Sequence, residues 1–131
     1  MNKSVLINNK INKFDKKIEV SSDKSISIRC VLMASQAIGC SKIYNLLESE
    51  DVISAINAIK SLGIKVIKKK KYYEILGKGL NNFSTKNNKV IKANNSGTLS
   101  RLILGMLVRF EKKIIITGDR SLKKRDFQRV I

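Results

Sequence analysis

Twice in this chain a strand-like stretch runs into a polar, hydroxyl-bearing turn that opens an amphipathic helix with an arginine in its first two turns. Such a repeat fits a layered fold in which strands deliver the chain to helix starts on one side. The first instance is Asp23-Lys24-Ser25-Ile26-Ser27-Ile28-Arg29, preceded by Lys17-Ile18-Glu19-Val20. Positions 28, 31, 32, 35 and 38 follow the i, i+3, i+4, i+7 spacing of a helix with one buried face. Asp23 or Ser22 can cap its start and Gly39 can close its end. Lys24, Ser25 and Ser27 then lie in the first turn, where free N–H groups and the helix dipole favour an anion. Arg29, about one turn further on, can reach the same end.

The second instance begins at the strand-like Lys89-Val90-Ile91-Lys92 and continues through Ala93-Asn94-Asn95-Ser96-Gly97-Thr98-Leu99-Ser100-Arg101. From Thr98, apolar residues at Leu99, Leu102, Ile103, Met106 and Leu107 predict another helix. Lys112 to Thr117 reads as a strand, and a basic stretch from Gly118 to Gln128 follows. Between the two instances, Ser41 to Leu46 alternates as a strand, and Ser49 with Glu50 and Asp51 starts a helix. Ile53, Ile56, Ile59 and Leu62 form its stripe, and Gly63 ends it. Ile64-Ile67 and Tyr72-Leu76 read as strands joined by a lysine hairpin turn, Lys68 to Lys71, and 77–88 as loop. The order is β-α-β-α-β-β, then β-α-β. This is an α/β (α+β) fold of two related units, about 21–80 and 86–131, the second incomplete. Residues 1–20 contribute two strand-like pieces, Val5-Ile7 and Lys17-Val20.

A formal net charge of +17 would ordinarily suggest a nucleic-acid partner. However, the 27 basic residues include only six arginines, and Pro, His and Trp are absent. Lys, Asn and Ile share A/T-rich codons, so base bias explains the charge, and 5% aromatics leave few stacking platforms. Against a lysine-rich background the arginines are informative, because a flat bidentate guanidinium does what an ammonium cannot. Arg29, Arg101, Arg120, Arg125 and Arg129 fall in or beside the polar stretches, and only Arg109 does not.

Cys30 and Cys40 have no His and no disulfide framework around them, which predicts no metal site and two buried, inert thiols in a reducing cytoplasm. No apolar run approaches the ~20 residues that span a bilayer. The first residues lack a continuous apolar stretch, so no signal peptide is predicted.

Each polar turn alone could be simple helix capping or a solvated end. Together, Lys24-Ser25-x-Ser27-x-Arg29, Asn95-Ser96-Gly97-Thr98-x-x-Arg101 and Thr117-Gly118-Asp119-x-Ser121-Leu122-x-x-Arg125 resemble the motifs of the 5-enolpyruvylshikimate-3-phosphate synthase family. The phrase Asn45 to Val52 and the later Leu62-Gly63-Ile64 are also similar to that family. The resemblance implies the inverse α/β domain of enolpyruvyl transferases. It implies transfer of the enolpyruvyl group from phosphoenolpyruvate to the 5-hydroxyl of shikimate 3-phosphate, with release of phosphate, on the pathway to chorismate and aromatic amino acids. Lys24 and Arg125 would be the catalytic cations. Lys24, Ser25 and Arg29 would hold shikimate 3-phosphate. Lys24, Asn95, Gly97, Thr98 and Arg125 would hold phosphoenolpyruvate.

The family needs no metal or organic cofactor, and the resemblance implies a cytoplasmic monomer with no nucleic-acid or membrane partner. Residues 1–20 would pack with a second domain. Three departures stand out: Asp126 where the family has Pro, Ile28 where it is usually polar, and a chain far shorter than the family's. The Asp126 carboxylate is expected to weaken the local positive field. The length implies a fragment carrying half of a site and inactive alone. A sister enolpyruvyl transferase acting on a UDP-sugar has Lys-Asn rather than Lys-Ser in its opening motif. A non-catalytic anion- or nucleic-acid-binding basic module is the alternative outside the family.

Overall fold

The computed structural model describes residues 20–80 and 82–128, together with Leu6 and Val130. The strand-like pieces read in 1–20 and the tail position Arg129 lie outside the described residues. The described elements follow the order α1 (Lys24–Gln36), β1 (Ile38–Tyr44), α2 (Glu50–Ser61), β2 (Lys65–Lys68), β3 (Tyr72–Lys78), β4 (Lys89–Asn94), α3 (Gly97–Leu107), β5 (Ile114–Gly118) and α4 (Arg120–Lys123).

β1, β3 and β2 form an antiparallel sheet in that spatial order, with Tyr44 opposite Tyr72 and Lys65 opposite Leu76. β4 and β5 pair in parallel, joined through α3, with an irregularity between Lys92 and Asn94. One core runs through both regions: Ile28, Val31 and Leu32 from α1, Val52, Ile56 and Ile59 from α2, Ile75 from β3, Ile91 from β4, and Leu99 and Ile103 from α3. Each of the larger fully buried side chains contributes roughly 1.5–3 kcal/mol by leaving water.

α1 stops earlier than its periodicity predicts. Gln36 is its last residue, Ala37 is extended, and Ile38 is 93% exposed at the start of β1. Gly39 lies inside β1 at φ +91° and does not close the helix. Gly77, facing Gly39 across the ladder, explains the abrupt change. A Cβ there would collide with the carbonyl oxygens of Ala34 and Ala37, so only glycine lets the helix end rest directly on β3. Gly79 N–H then donates to Ala37 O at 3.1 Å, which satisfies a carbonyl at the helix end.

α2 with its C-cap buries Ile56, Ile59 and Leu62 as the spacing predicts, but Ile53 is 37% exposed and Val52 is buried in its place. Small Ala55 completes the i, i+3, i+4, i+7 row that begins at Val52. Ser49 precedes α2 but makes no side-chain cap, and its Oγ is buried without a partner. The lysine turn is a hairpin over 69–71, with Lys69 N–H donating to Tyr72 O. α3 begins one residue before Thr98, and α4 is a short helix within the basic closing stretch. Both cysteines are free, but they are not buried. Cys30 is half-buried and Cys40 is exposed, because β1 turns its even-numbered residues outward.

Candidate functional site

Polar helix starts gather around α2. Asp23 caps α1, its carboxylate accepting from Ile26 N–H at 2.7 Å. Lys24, the next residue, pairs through Nζ with Asp51 Oδ2 at 2.8 Å, joining the start of α1 to the first turn of α2. One turn further along α2, Ser54 Oγ accepts from Asn94 Nδ2 at 2.8 Å, which fixes the end of β4. Asn94 takes a left-handed φ of +50°, a conformation asparagine tolerates, and its carbonyl accepts from Asp119 N–H at 2.8 Å. The ends of β4 and β5, and so the starts of α3 and α4, are thereby locked together.

α3 starts at Gly97, capped by Ser96 Oγ accepting from Leu99 N–H at 3.3 Å. Its first N–H groups have no acceptor within the helix. Arg125 lies over this end: Nη2 donates to Asn95 Oδ1 at 2.6 Å, and a Cβ on Gly97 would lie 2.7 Å from Nη1. The absence of a side chain at 97 is what lets the guanidinium approach the backbone. On the side of the chain leading to Arg125, Asp119 Oδ1 caps α4 by accepting from Leu122 N–H at 2.7 Å, and Arg125 N–H donates to Leu122 O at 3.0 Å.

Of the residues singled out from sequence, Asn95, Gly97 and Arg125 are brought into direct contact, with Thr98 half-buried in the first turn of α3. Lys24 is half-exposed at the start of α1, and Ser25 is half-buried beside it. Ser27 faces inward, its Oγ accepting from Leu47 N–H at 3.2 Å, so it holds the β1–α2 connection. Arg29 is exposed and borders a cavity with Met33 of α1 and Leu102 and Met106 of α3. Among the described residues, no hydrogen bond or ion pair joins Lys24, Ser25 or Arg29 to the Asn95–Arg125 pair.

Sequence reading placed Asp51 only as an acid in the first turn of α2 and gave Ser54 and Asn94 no linking role. Their linking function depends on contacts across 27 and 40 positions of sequence, between Lys24 and Asp51 and between Ser54 and Asn94, that no local pattern announces. The Asp126 carboxylate accepts from Gln128 N–H through Oδ1 at 2.8 Å, and among the described residues it forms no ion pair. Among the described residues, no cluster of three His, Cys, Asp or Glu could hold a metal ion, and no helix is long and apolar enough to cross a membrane.

The family model for EPSP synthase (3-phosphoshikimate 1-carboxyvinyltransferase) matches residues 8–131. The chain belongs to the EPSP synthase family. It is 37% identical over 121 residues to a 3-phosphoshikimate 1-carboxyvinyltransferase of Sulfurihydrogenibium sp., covering 92% of this chain and 28% of that protein. Over 126 residues it is 40% identical to the enzyme of the same name from Alkaliphilus metalliredigens, covering 96% of this chain and 29% of that protein. Among solved structures it resembles an EPSP synthase from Acinetobacter baumannii, with a TM-score of 0.78 and 31% identity over 87% of this chain and 26% of that one. The chain thus spans between a quarter and a third of the length of the EPSP synthases it matches.

Proposed function

We propose that this chain supplies the phosphoenolpyruvate- and shikimate 3-phosphate-binding turns of an EPSP synthase. In that reaction the 5-hydroxyl of shikimate 3-phosphate adds to C2 of phosphoenolpyruvate while C3 gains a proton. The tetrahedral adduct then loses phosphate from C2 and a proton from C3, which restores the double bond as the enol ether. Lys24, Arg125, Asn95, Gly97 and Thr98 receive phosphoenolpyruvate. Lys24, Ser25 and Arg29 receive shikimate 3-phosphate. Both substrates are polyanions, so bringing them together requires cations and helix N–H groups to offset their repulsion. Fixed cations also stabilise the charge carried through the adduct.

The observation that carries this reading is the guanidinium of Arg125 seated over Gly97 and bonded to Asn95 at the opening of α3. It puts a bidentate donor beside unpaired helix N–H groups, a setting suited to a carboxylate or phosphate. Proton transfer at C3 needs an acid/base partner, and Asp23, Asp119 and Asp126, each accepting a backbone N–H through one carboxylate oxygen, form no ion pair among the described residues. The proposal is therefore of a half-site, carried by the turns at Lys24, Asn95 and Arg125.

Isothermal titration of the chain with shikimate 3-phosphate, alone and with phosphoenolpyruvate, tests the reading. Saturable binding that Lys24→Ala and Arg29→Ala each weaken by at least about tenfold is the expected result. A folded chain that binds neither substrate, or binds polyanions in general with a steep salt dependence, overturns it.

A further inference from the structure

Arg101 takes no part in the contacts proposed for either substrate, yet it ties down the segment that carries Arg125. Its Nη2 donates to Asp126 O at 3.1 Å, and its guanidinium lies 5.6 Å from the centre of the Phe127 ring. Phe127 is half-buried against the core and anchors the far side of that grip. Gly97 and Arg101 are four residues apart in α3, so they lie one above the other on one face of the helix. That single face holds the Arg125 guanidinium at one end and the backbone just beyond Arg125 at the other.

Arg125 itself is exposed, and its local backbone support on the preceding side is the bond to Leu122 O. Asp126 does not supply the missing support by charge, because its carboxylate turns back to Gln128 N–H. We propose that Arg101 is the positioning residue for Arg125, clamping residues 126 and 127 to α3 so that the Arg125 guanidinium stays over Gly97. Arginine suits the task because its planar group stacks on a ring through its face while donating through its edge, which an ammonium cannot do at once. The inference rests on the reading of Arg125 as a substrate-binding cation.

The test uses the 131-residue chain with Arg101→Ala and Arg101→Lys, and with Phe127→Leu, which keeps apolar bulk but removes the ring. Arg125 is followed by the chemical shift and heteronuclear relaxation of its side-chain Nε–Hε group, and phosphoenolpyruvate is titrated in the presence of shikimate 3-phosphate. In Arg101→Ala the Arg125 signal is expected to move to the shift and mobility of a free arginine. Phosphoenolpyruvate binding weakens by about tenfold, while shikimate 3-phosphate binding is unchanged. Arg101→Lys and Phe127→Leu follow Arg101→Ala.

Full restoration by Arg101→Lys would show that charge alone matters and would overturn the clamp. So would an Arg125 signal that no variant moves. If the wild-type chain binds neither substrate, the substrate reading fails, and the Arg125 signal still decides whether Arg101 positions it. If Arg101→Ala does not fold, Phe127→Leu gives the same decision.

Discussion

The two sheets are built to different degrees of completeness. β1, β3 and β2 form an antiparallel ladder whose inner face is covered by α1 and α2, with Tyr73 and Ile75 buried beneath it. A side-chain cluster pins its edge: Glu48 accepts from Lys68 Nζ at 2.7 Å and from Tyr73 Oη at 2.8 Å. Among the described residues β4 and β5 form a two-stranded parallel ribbon, although Ile114-Ile115-Ile116 is the continuous apolar run of a strand covered on both faces. Ile115 is 42% exposed, and an apolar groove of about 350 Å³ lies beside β5, lined in part by Leu104, Ile114, Ile116 and Phe127. Local ladder and turn chemistry suffice to finish the first region, whereas the second carries its chemistry on a less finished frame. Arg125 and Asn95 belong to that second region.

The largest expected contrast comes from cutting the same side chain in the two sheets. Ile75→Ala, at a fully buried position, is expected to cost about 3–4 kcal/mol, and Ile115→Ala below about 1 kcal/mol, by denaturant unfolding. Equal losses would erase the distinction between the regions.

A smaller contrast separates two glycines. Gly77→Ala pushes a Cβ into the carbonyls of Ala34 and Ala37 and is expected to cost about 2–3 kcal/mol. Gly105→Ala, with open space around it in α3, is expected to stabilise by up to about 1 kcal/mol. A neutral Gly77→Ala in the same unfolding measurement would mean that α1 does not rest on β3 as described.

The smallest effect is electrostatic. Hydrogen bonds from Lys68 first, and then from Tyr73, hold the Glu48 carboxyl below its ordinary value of 4.5. Its contribution is therefore complete above that value and is lost as the pH falls through the lowered one. The hydrogen bond to Glu48 raises Lys68, and burial followed by the Glu48 bond raises Tyr73. Their share is complete below their ordinary values and is lost as the pH rises through the raised ones. In Glu48→Gln the melting temperature is expected to lose this window, so that wild type and variant converge in acid. A difference that does not depend on pH would remove the cluster from the account of the first sheet.

Much of the frame is legible in the order of residues. Most of the α3 stripe, the glycine ending α2 and the lysine hairpin follow from local periodicity and turn chemistry, whereas Leu102, read as part of that stripe, is 37% exposed. The start of β1 is not, because Ile38 continues the spacing of α1, and what ends that helix is a glycine on another strand, Gly77. α4 hides among lysines and arginines whose charges mask a single buried residue, Leu122. At the site, the hydroxyls, glycine and arginines are visible as motifs. The seating of Arg125 over Gly97 and the grip of Arg101 on residues 126 and 127 join positions 25 to 28 apart, so only the folded chain displays them.

Lys24 and Arg125 share one further consequence. Neither cation is bare: one already holds Asp51 and the other already holds Asn95. Each partner takes up one donor, so Lys24 keeps two further ammonium hydrogens and Arg125 keeps its Nε and Nη1 donors. Asp51 and Asn95 therefore aim the two cations without using them up, and an anion arriving there would freeze less side-chain motion than at a loose surface lysine.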